Sequence, residues 1–297
     1  MTYIYTVYGF TVATPFPCEL RPAPPAATPD IQVIEDKVPF HLDAPLTKED
    51  NWEAAPGIYL HRGGKRVGRF LVEDGKRITF QRAPQAEDNL IALVFLDSII
   101  VAILRQQGKI VLHANAALTP NGAVAISGES GAGKSTTLTA LLQKGCSMLA
   151  DDILALQMNP QGQVEVALGA PQMNLLDDAA QSLHYDVSGS PRHRWRSGKS
   201  IVSTHEYMAE TPAPLKALYL LEKNPALKEI HPQLLTGAEK FIAVQGCIYG
   251  PMFPEEHSAA FPFFSTLIEQ TAVYRIQRPV DHWSIPAVLD FIHSSTS

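Results

Sequence analysis

Cysteine is scarce in this sequence of 297 residues, which contains only three, Cys18, Cys146 and Cys247. The three are far apart and form no CxxC pair, so neither a disulfide framework nor a cysteine metal site is predicted. We therefore expect a protein of a reducing compartment, the cytoplasm. The segment MTYIYTVYGF lacks a basic stretch followed by an apolar one, so no signal peptide is predicted.

Long hydrophobic runs and an excess of positive charge are also missing. The longest apolar stretch, residues 90–104, includes Asp97, and it is too short and too polar for a membrane span. It is more typical of a buried helix. The net charge of −6 argues against broad binding to nucleic acids or anionic membranes. Neither nucleic acid nor membrane is an expected partner.

The residue pattern changes along the chain and predicts an α/β protein with a mixed sheet. Residues 1–86 alternate apolar and polar positions around the turn signals Gly63-Gly64 and Asp74-Gly75, which predicts a small β-rich N-terminal domain. Residues 87–107 are predicted to form one connecting helix. Residues 108–297 contain strands and helices without the strict alternation of a doubly wound parallel sheet, and form the second predicted domain.

A phosphate-binding loop is the most specific motif. GESGAGKS, residues 128–135, satisfies the pattern GxxxxGK[ST] and lies between a predicted strand and a predicted helix. Lys134 is expected to reach the β- and γ-phosphates of ATP, and the Ser135 hydroxyl to bind Mg²⁺. Ser130 either donates a hydrogen bond or shapes the loop. The residues predicted to bind the nucleotide here are Gly128, Ser130, Gly131, Ala132, Gly133, Lys134, Ser135 and Thr136.

Two adjacent acids, Asp151 and Asp152, follow Lys134 after only seventeen positions, at the end of a predicted strand. One carboxylate is expected to hold the metal ion, and the other to take a proton from an incoming hydroxyl. His113 and Asn115 lie on a predicted strand whose hairpin pairing brings them beside the loop. On the residues alone, a solvated acidic turn and a structural histidine remain alternatives.

The order of these features resembles a known family. VLHANAAL (residues 111–118) and AVAISGESGAGKSTTLTALLQKGCSMLADDILAL (residues 123–156) resemble the catalytic domain of HPr kinase/phosphorylase, and are more distantly similar to ATP-dependent phosphoenolpyruvate carboxykinase. The resemblance covers roughly residues 108–295. It implies a mixed-sheet P-loop kinase core that phosphorylates a serine hydroxyl on a peptide or small protein and associates into a homo-oligomer.

The resemblance also implies roles for particular residues. Asp151 would be the catalytic base, with His113 close to it and Lys134 on the phosphates. Ser135 and Asp152 would hold the metal ion, assisted by a downstream acid whose nearest counterparts here are Asp177 and Asp178. A helix N-cap acid is the alternative role for this second pair. The chain departs from the family at residues 174–187, NLLDDAAQSLHYDV, where the family has a glycine-rich signature. This departure argues against HPr as the acceptor and against the reverse, phosphorylase reaction.

The chain is more similar to the shorter HPr-kinase-like proteins than to HPr kinase itself. Some of these shorter proteins resemble kinases that phosphorylate the C-terminal serine of a lasso precursor peptide. A basic stretch, SPRHRWRSGKS (residues 190–200), adds Arg192, Arg194 and Arg196 as predicted nucleotide-binding residues, because planar guanidinium groups suit phosphates. We expect this stretch to close on the nucleotide and the acceptor. Two alternatives remain, a kinase of a small-molecule alcohol on the same scaffold and a non-catalytic ATP-sensing module.

Overall fold

The chain forms two compact units. One comprises Met1–Val111 and Tyr249–Pro262, and the other Leu112–Ile248 and Phe263–Ser297. Parallel and antiparallel strand pairs occur in both, which confirms the predicted mixed α/β class. All described helices are too short or too polar to cross a lipid bilayer. The computed structural model describes residues 1–24, 26–193, 197–251, 253 and 261–296.

The first unit is built on one twisted sheet that begins close to the N-terminus. Its strands are β1 (Tyr3–Val7), β2 (Phe10–Thr14), β3 (Arg21–Pro22), β4 (Ile31–Glu35), β5 (Thr47–Lys48), β6 (Trp52–Ala55), β7 (Ile58–Arg62), β8 (Gly68–Glu73) and β9 (Arg77–Arg82). They pair in the order β3-β1-β2-β4-β9-β8-β7-β6-β5. The turn signals Gly63-Gly64 and Asp74-Gly75 join β7 to β8 and β8 to β9, as predicted.

The apolar segment after this sheet is helical and belongs to the first unit. It consists of α1 (Asp88–Val94), a π-helical turn (Phe95–Ile99) and α2 (Ile100–Gln106). Most of its side chains are buried, which is the pattern of a core helix. The ring of Phe16 packs edge-on against Phe80 and Phe95, at centroid distances of 5.6 and 5.7 Å. The segment predicted to connect two domains therefore packs into the core of the first unit.

The second unit carries most of the remaining elements, while β10 (Ile110–Leu112) and α6 (Phe261–Gln270) cross its boundaries in the sequence. Its strands are β11 (Ala114–Thr119), β12 (Gly122–Gly128), β13 (Ser147–Ala150), β14 (Leu154–Met158), β15 (Val164–Val166), β16 (Gln172–Leu176), β17 (Lys199–Ser203), β18 (Ala213–Lys223), β19 (His231–Leu234) and β20 (Ala272–Arg278). Its helices are α3 (Lys134–Gln143), α4 (Asp177–Ser182), α5 (Gly237–Gln245) and α7 (Ile285–Ser295), with a 3-10 turn at His205–Tyr207.

Three neighbouring strands of this unit, β12, β18 and β20, run parallel to one another. β12 and β20 pair in parallel with the two edges of β18, and β11 pairs antiparallel with β12 through the predicted hairpin at Thr119–Gly122. Because β12, β18 and β20 run in the same direction, their carboxyl ends meet at one edge of the sheet. Ligands of open α/β sheets bind outside that edge.

Helices and a two-stranded ribbon cover one face of this sheet. Leu138 of α3 and Val288 of α7 are fully buried in the same apolar cluster as Ile126 of β12. The ribbon of β16 and β17 joins the cluster through Met173 and Leu175. Full burial of an aliphatic side chain contributes about 1.5–3 kcal/mol, so this cluster holds the ribbon beside α3.

Candidate functional site

The phosphate-binding loop connects β12 to α3 at the carboxyl edge of the sheet. Gly128 and Gly133 have φ values of 145° and 108°, which an L side chain rarely adopts. A Cβ atom at Gly128 would lie 2.4 Å from the carbonyl oxygen of Leu221, so the loop backbone packs directly on β18. The glycines predicted from the motif are therefore required both by conformation and by close approach.

Lys134 is held close to the loop from which it extends. Its side chain is buried, and Nζ donates hydrogen bonds to the carbonyl oxygens of Gly128 at 2.8 Å and Glu129 at 3.4 Å. Thr137 Oγ1 donates to the carbonyl of Gly133 at 2.8 Å, which reinforces the first turn of α3. The ammonium group is thus fixed near the N-terminus of α3, and phosphate groups bind at this position in other loops of this type.

A cavity of about 740 Å³ opens on this loop. Its size is that of a small-molecule binding site. Gly128 and Ala132 line a second cavity instead. The predicted loop residues that line the first cavity are Ser130, Gly131, Gly133, Lys134, Ser135 and Thr136.

Asn115 connects the loop to the acid pair. It is fully buried on β11; its Oδ1 accepts a hydrogen bond from the N–H of Asp152 at 3.1 Å, and its Nδ2 donates to Ser135 Oγ at 3.5 Å. Asp152 has a φ of 59°, a left-handed conformation that is uncommon outside glycine and often marks functional sites. Asp152 and the predicted magnesium ligand Ser135 both line the first cavity.

The two carboxylates of the acid pair have different surroundings. Oδ2 of Asp151 accepts a hydrogen bond from the N–H of Asn174 at 2.7 Å. Oδ1 is buried and has no hydrogen-bond partner among the described residues. Burial raises the pKa of Asp151 well above its ordinary value, and the charge of Asp152 raises it further. Oδ1 is therefore an oxygen with a raised proton affinity, which suits a general base.

Asn174 contacts both acids and was missed by the sequence reasoning. Its Nδ2 donates to Asp152 Oδ2 at 3.4 Å, and its own Oδ1 is buried with no partner in the described part of the chain. The signal was the alternation of QMNLL, in which Met173 and Leu175 are buried on one face of β16 and Asn174 projects from the other.

His113 is close to Asp152 but does not lie on a strand, so that prediction was wrong. It occupies a bend between β10 and β11, where its N–H donates to the Cys247 carbonyl at 2.8 Å and its carbonyl accepts from Ser127 Oγ at 2.8 Å. These bonds satisfy its backbone without a β ladder. Its Nδ1 donates to the carbonyl of Asp152 at 3.1 Å, which holds the ring beside the acid pair.

Two further cations, Lys223 and Arg278, end the neighbouring parallel strands. They face each other in register as the last residues of β18 and β20. Arg278 Nε donates to the carbonyl of Ala132 at 2.7 Å, and a Cβ atom at Gly131 would lie 3.3 Å from Lys223 Nζ. Both line the first cavity. Their strand-final positions in YLLEK and YRIQR were the available sequence signal.

Other predicted site residues are not brought together in the same way. Asp177 forms an ion pair with Arg192, and both side chains are largely exposed. Of the two acids that open α4, it is Asp178 that lines the first cavity. Arg194 and Arg196 lie outside the described residues. From the end of this basic stretch, Ser197 and Lys199 reach the cavity.

The oxygen-rich surroundings of Asp152 suit Mg²⁺. Within the described ranges, no three His, Cys, Asp or Glu side chains converge as a metal site. Mg²⁺, however, usually takes only one or two protein carboxylates together with phosphate oxygens and water. Asp152 and Ser135, which line the same cavity, could hold it, and Asn174 lies next to Asp152 as a further candidate.

A second cavity of about 640 Å³ shares His113, Ser130 and Lys223 with the first. It is otherwise lined by the loop, the end of β18, β20 and α5, including Ile242 and Cys247. Ile242 is 65% exposed, which is unusual for a large apolar side chain. The phosphate-binding loop is therefore bordered by two cavities that meet at His113.

Comparisons with known proteins show a distant structural similarity. No protein-family model matches the chain, and no curated protein matches it. Among solved structures, the HPr(Ser) kinase/phosphatase from Coxiella burnetii is similar with a TM-score of 0.34 and 14% sequence identity, over 62% of this chain and 94% of that one. This is a distant structural relationship, so the functional argument rests on the site itself.

Proposed function

We propose that this protein is a Mg²⁺- and ATP-dependent kinase that phosphorylates a serine hydroxyl of a peptide or small protein. The proposal is supported by the cavity lining, in which Asp152 and His113 occur together with Lys134 and Ser135 of the loop. Asp151 precedes Asp152 directly in the chain and contacts Asn174, which also contacts Asp152. A module that only sensed ATP would need the loop but no acid pair. The acids therefore favour group transfer over binding alone.

The cations of the site have a common role in this reaction. Lys134, Lys223 and Arg278 lie at the carboxyl edge of the sheet, where negative charge develops during phosphoryl transfer. When bound between Ser135 and Asp152, Mg²⁺ would neutralise phosphate charge. Catalysis would consist of positioning and charge neutralisation, because phosphoryl transfer needs little covalent help from the protein.

Asp151 is the proposed base, and Oδ1 is the oxygen that takes the proton. Oδ2 already accepts the Asn174 N–H, whereas Oδ1 has no partner in the described chain. As the serine oxygen forms its bond to the γ-phosphorus, the bond from that phosphorus to the β–γ bridging oxygen breaks. The electron pair of that bond leaves with ADP, and the serine proton moves to Asp151.

The second cavity is the proposed site of the acceptor. It shares His113, Ser130 and Lys223 with the nucleotide cavity, so an acceptor bound there would present its hydroxyl close to the loop. The exposed Ile242 provides an apolar contact for a peptide side chain. The C-terminal serine of a ribosomal precursor peptide, such as that of a lasso peptide, is a chain end small enough to enter.

The test is to identify the product. The protein is incubated with Mg²⁺, γ-labelled ATP and either serine-terminated peptides or small alcohols such as glycerol, and the products are identified by mass spectrometry. We expect phosphoserine on a peptide, and a loss of about 10²–10³-fold in kcat for Lys134→Ala. Lys144→Ala, an exposed lysine after the same helix, is the matched control.

The other outcomes separate the alternatives. Label on the small alcohols alone would indicate a small-molecule kinase on this scaffold. ATP binding that Lys134→Ala weakens, with no transfer to any acceptor, would favour a sensing module. Transfer by Lys134→Ala at the wild-type rate would overturn the assigned site.

A further inference from the structure

Two segments contribute apolar side chains to the lining of the nucleotide cavity, and we call this part of the lining its apolar end. Leu176 and Ala179 line it from the β16–α4 junction, and Val280, Trp283 and Ile285 line it from the segment between β20 and α7. Val280 and Trp283 are 51% and 46% exposed, although both are large and apolar. Two such side chains facing one cavity are more informative than scattered exposed residues, because apolar surface is normally buried unless it meets a ligand.

The segment that carries Trp283 is fastened to the phosphate-binding loop. Arg278 donates to the Ala132 carbonyl at 2.7 Å and to Ser284 Oγ at 3.4 Å. One guanidinium group therefore contacts both the phosphate-binding loop and the residue that follows Trp283. Asp281 is held by Lys228 and His282 at 3.0 and 2.8 Å. The indole of Trp283 therefore lies on an anchored turn.

The loop and the apolar end would recognise different parts of one ligand. Backbone N–H groups and lysine bind phosphate from any source, including inorganic tripolyphosphate. A flat indole beside aliphatic side chains is a stacking surface for a nucleobase. We propose that the apolar end of this cavity binds the base of the nucleoside triphosphate, with Trp283 stacked on it. This inference rests on the proposed kinase function and names the donor as a nucleotide rather than an inorganic polyphosphate.

The experiment compares two probes that share the phosphate chain. Dissociation constants for ATP and for inorganic tripolyphosphate, both with Mg²⁺, are measured by titration calorimetry on the full-length protein. We expect the wild type to bind ATP at least tenfold more tightly, and Trp283→Ala to lose about tenfold for ATP with no change for tripolyphosphate. Trp283→Phe, which keeps a stacking ring, should retain most of the ATP affinity.

Leu234→Ala is the matched control, because Leu234 is 54% exposed on β19 and does not line either cavity. Its affinities for both probes should equal those of the wild type. Equal binding of ATP by the wild type and Trp283→Ala would overturn the proposal, as would a loss of tripolyphosphate binding equal to the loss of ATP. If the wild type binds tripolyphosphate but ATP no better, this inference fails while the phosphate site stands. If it binds neither, the proposed function fails.

Discussion

The guanidinium of Arg278 donates a hydrogen bond of 2.7 Å to the carbonyl oxygen of Ala132, although the two residues lie 146 positions apart. The bond joins the end of β20 to the middle of the phosphate-binding loop. Burial lowers the pKa of Arg278, but an arginine remains charged at any physiological pH. A fixed positive charge therefore supports the loop from a neighbouring strand.

Replacing Arg278 is expected to loosen this loop. Because hydrogen bonds to charged groups are worth about 1.5–3 kcal/mol, Arg278→Ala should weaken ATP binding by about tenfold to hundredfold. Arg275→Ala is the control, since Arg275 lies on the same strand but pairs with Glu222 and Glu239. Titration calorimetry with ATP measures both. An unchanged dissociation constant for Arg278→Ala would show that the loop is held without it.

Asp151 is expected to cost stability at neutral pH. Its pKa is raised by burial and by the charge of Asp152, so the folded protein bears a buried charge once the pH rises through that value. Below the ordinary carboxyl pKa, the group is protonated in both folded and unfolded states and costs nothing. Asp151→Asn should therefore stabilise the protein by about 1 kcal/mol at pH 8 and have no effect near pH 3.

Thermal unfolding of the wild type and Asp151→Asn across this pH range shows whether the substitution stabilises or destabilises the protein. Asp290→Asn, an exposed acid on α7, is the control and should leave the midpoint unchanged throughout. A variant that is less stable than the wild type at pH 8 would contradict the account of a buried carboxylate that costs stability when it is charged.

Asn174 is expected to contribute to the affinity of the site for a divalent metal ion. If its Oδ1 is a ligand beside Asp152, Asn174→Leu should weaken Mn²⁺ binding in the presence of ADP by at least about tenfold. Asn174→Asp should keep or tighten it, because a carboxylate oxygen replaces the amide oxygen. Electron paramagnetic resonance of Mn²⁺ reads the affinity without catalysis, and Gln181→Leu on α4 is the control. Loss of affinity in Asn174→Asp would instead indicate that Asn174 serves only as a donor to Asp152.

A buried acid holds part of the first unit together. Burial opposes ionisation of Glu53, yet hydrogen bonds from His41, from the Leu42 N–H and from Arg62 keep its pKa at about 2. Removing one partner of a buried ion pair costs about 3 kcal/mol, so Glu53→Gln should lower the free energy of unfolding at pH 7 by roughly that amount. Since a lowered pKa stabilises above the ordinary value, the wild type should lose this advantage as the pH falls below about 4 towards 2. Urea unfolding measures the free energy of unfolding of each variant, and Glu49→Gln, at an exposed position, is the control. If both variants lost the same free energy of unfolding, Glu53 would have no special role in stability.

Local patterns predicted the parts of the fold that depend on local chemistry. The loop glycines and the hairpin between β11 and β12 follow from short-range rules and are present. His113 was placed on a strand because its neighbours are apolar. Its bend depends on Ser127 and Cys247, whose side-chain and backbone bonds no local pattern reveals.

The candidate site was predicted only where its residues are close in the sequence. Lys134 and the acid pair lie within one strand–loop–helix–strand unit. Asn174, Lys223 and Arg278 reach the site through strand pairing and ribbon packing, which depend on long-range register. Asp177 was predicted from the family resemblance, but it pairs with Arg192 at the surface, and its neighbour Asp178 lines the cavity.

The central claim is that the acid pair converts nucleotide binding into phosphoryl transfer. The most direct measurement is the single-turnover rate of transfer from ATP to a serine-terminated peptide by Asp151→Asn, with the dissociation constant of ATP measured on the same preparation. The account predicts a rate reduced by about 10²–10⁴-fold, with ATP affinity within a few fold of the wild type. Transfer at the wild-type rate by Asp151→Asn would contradict it.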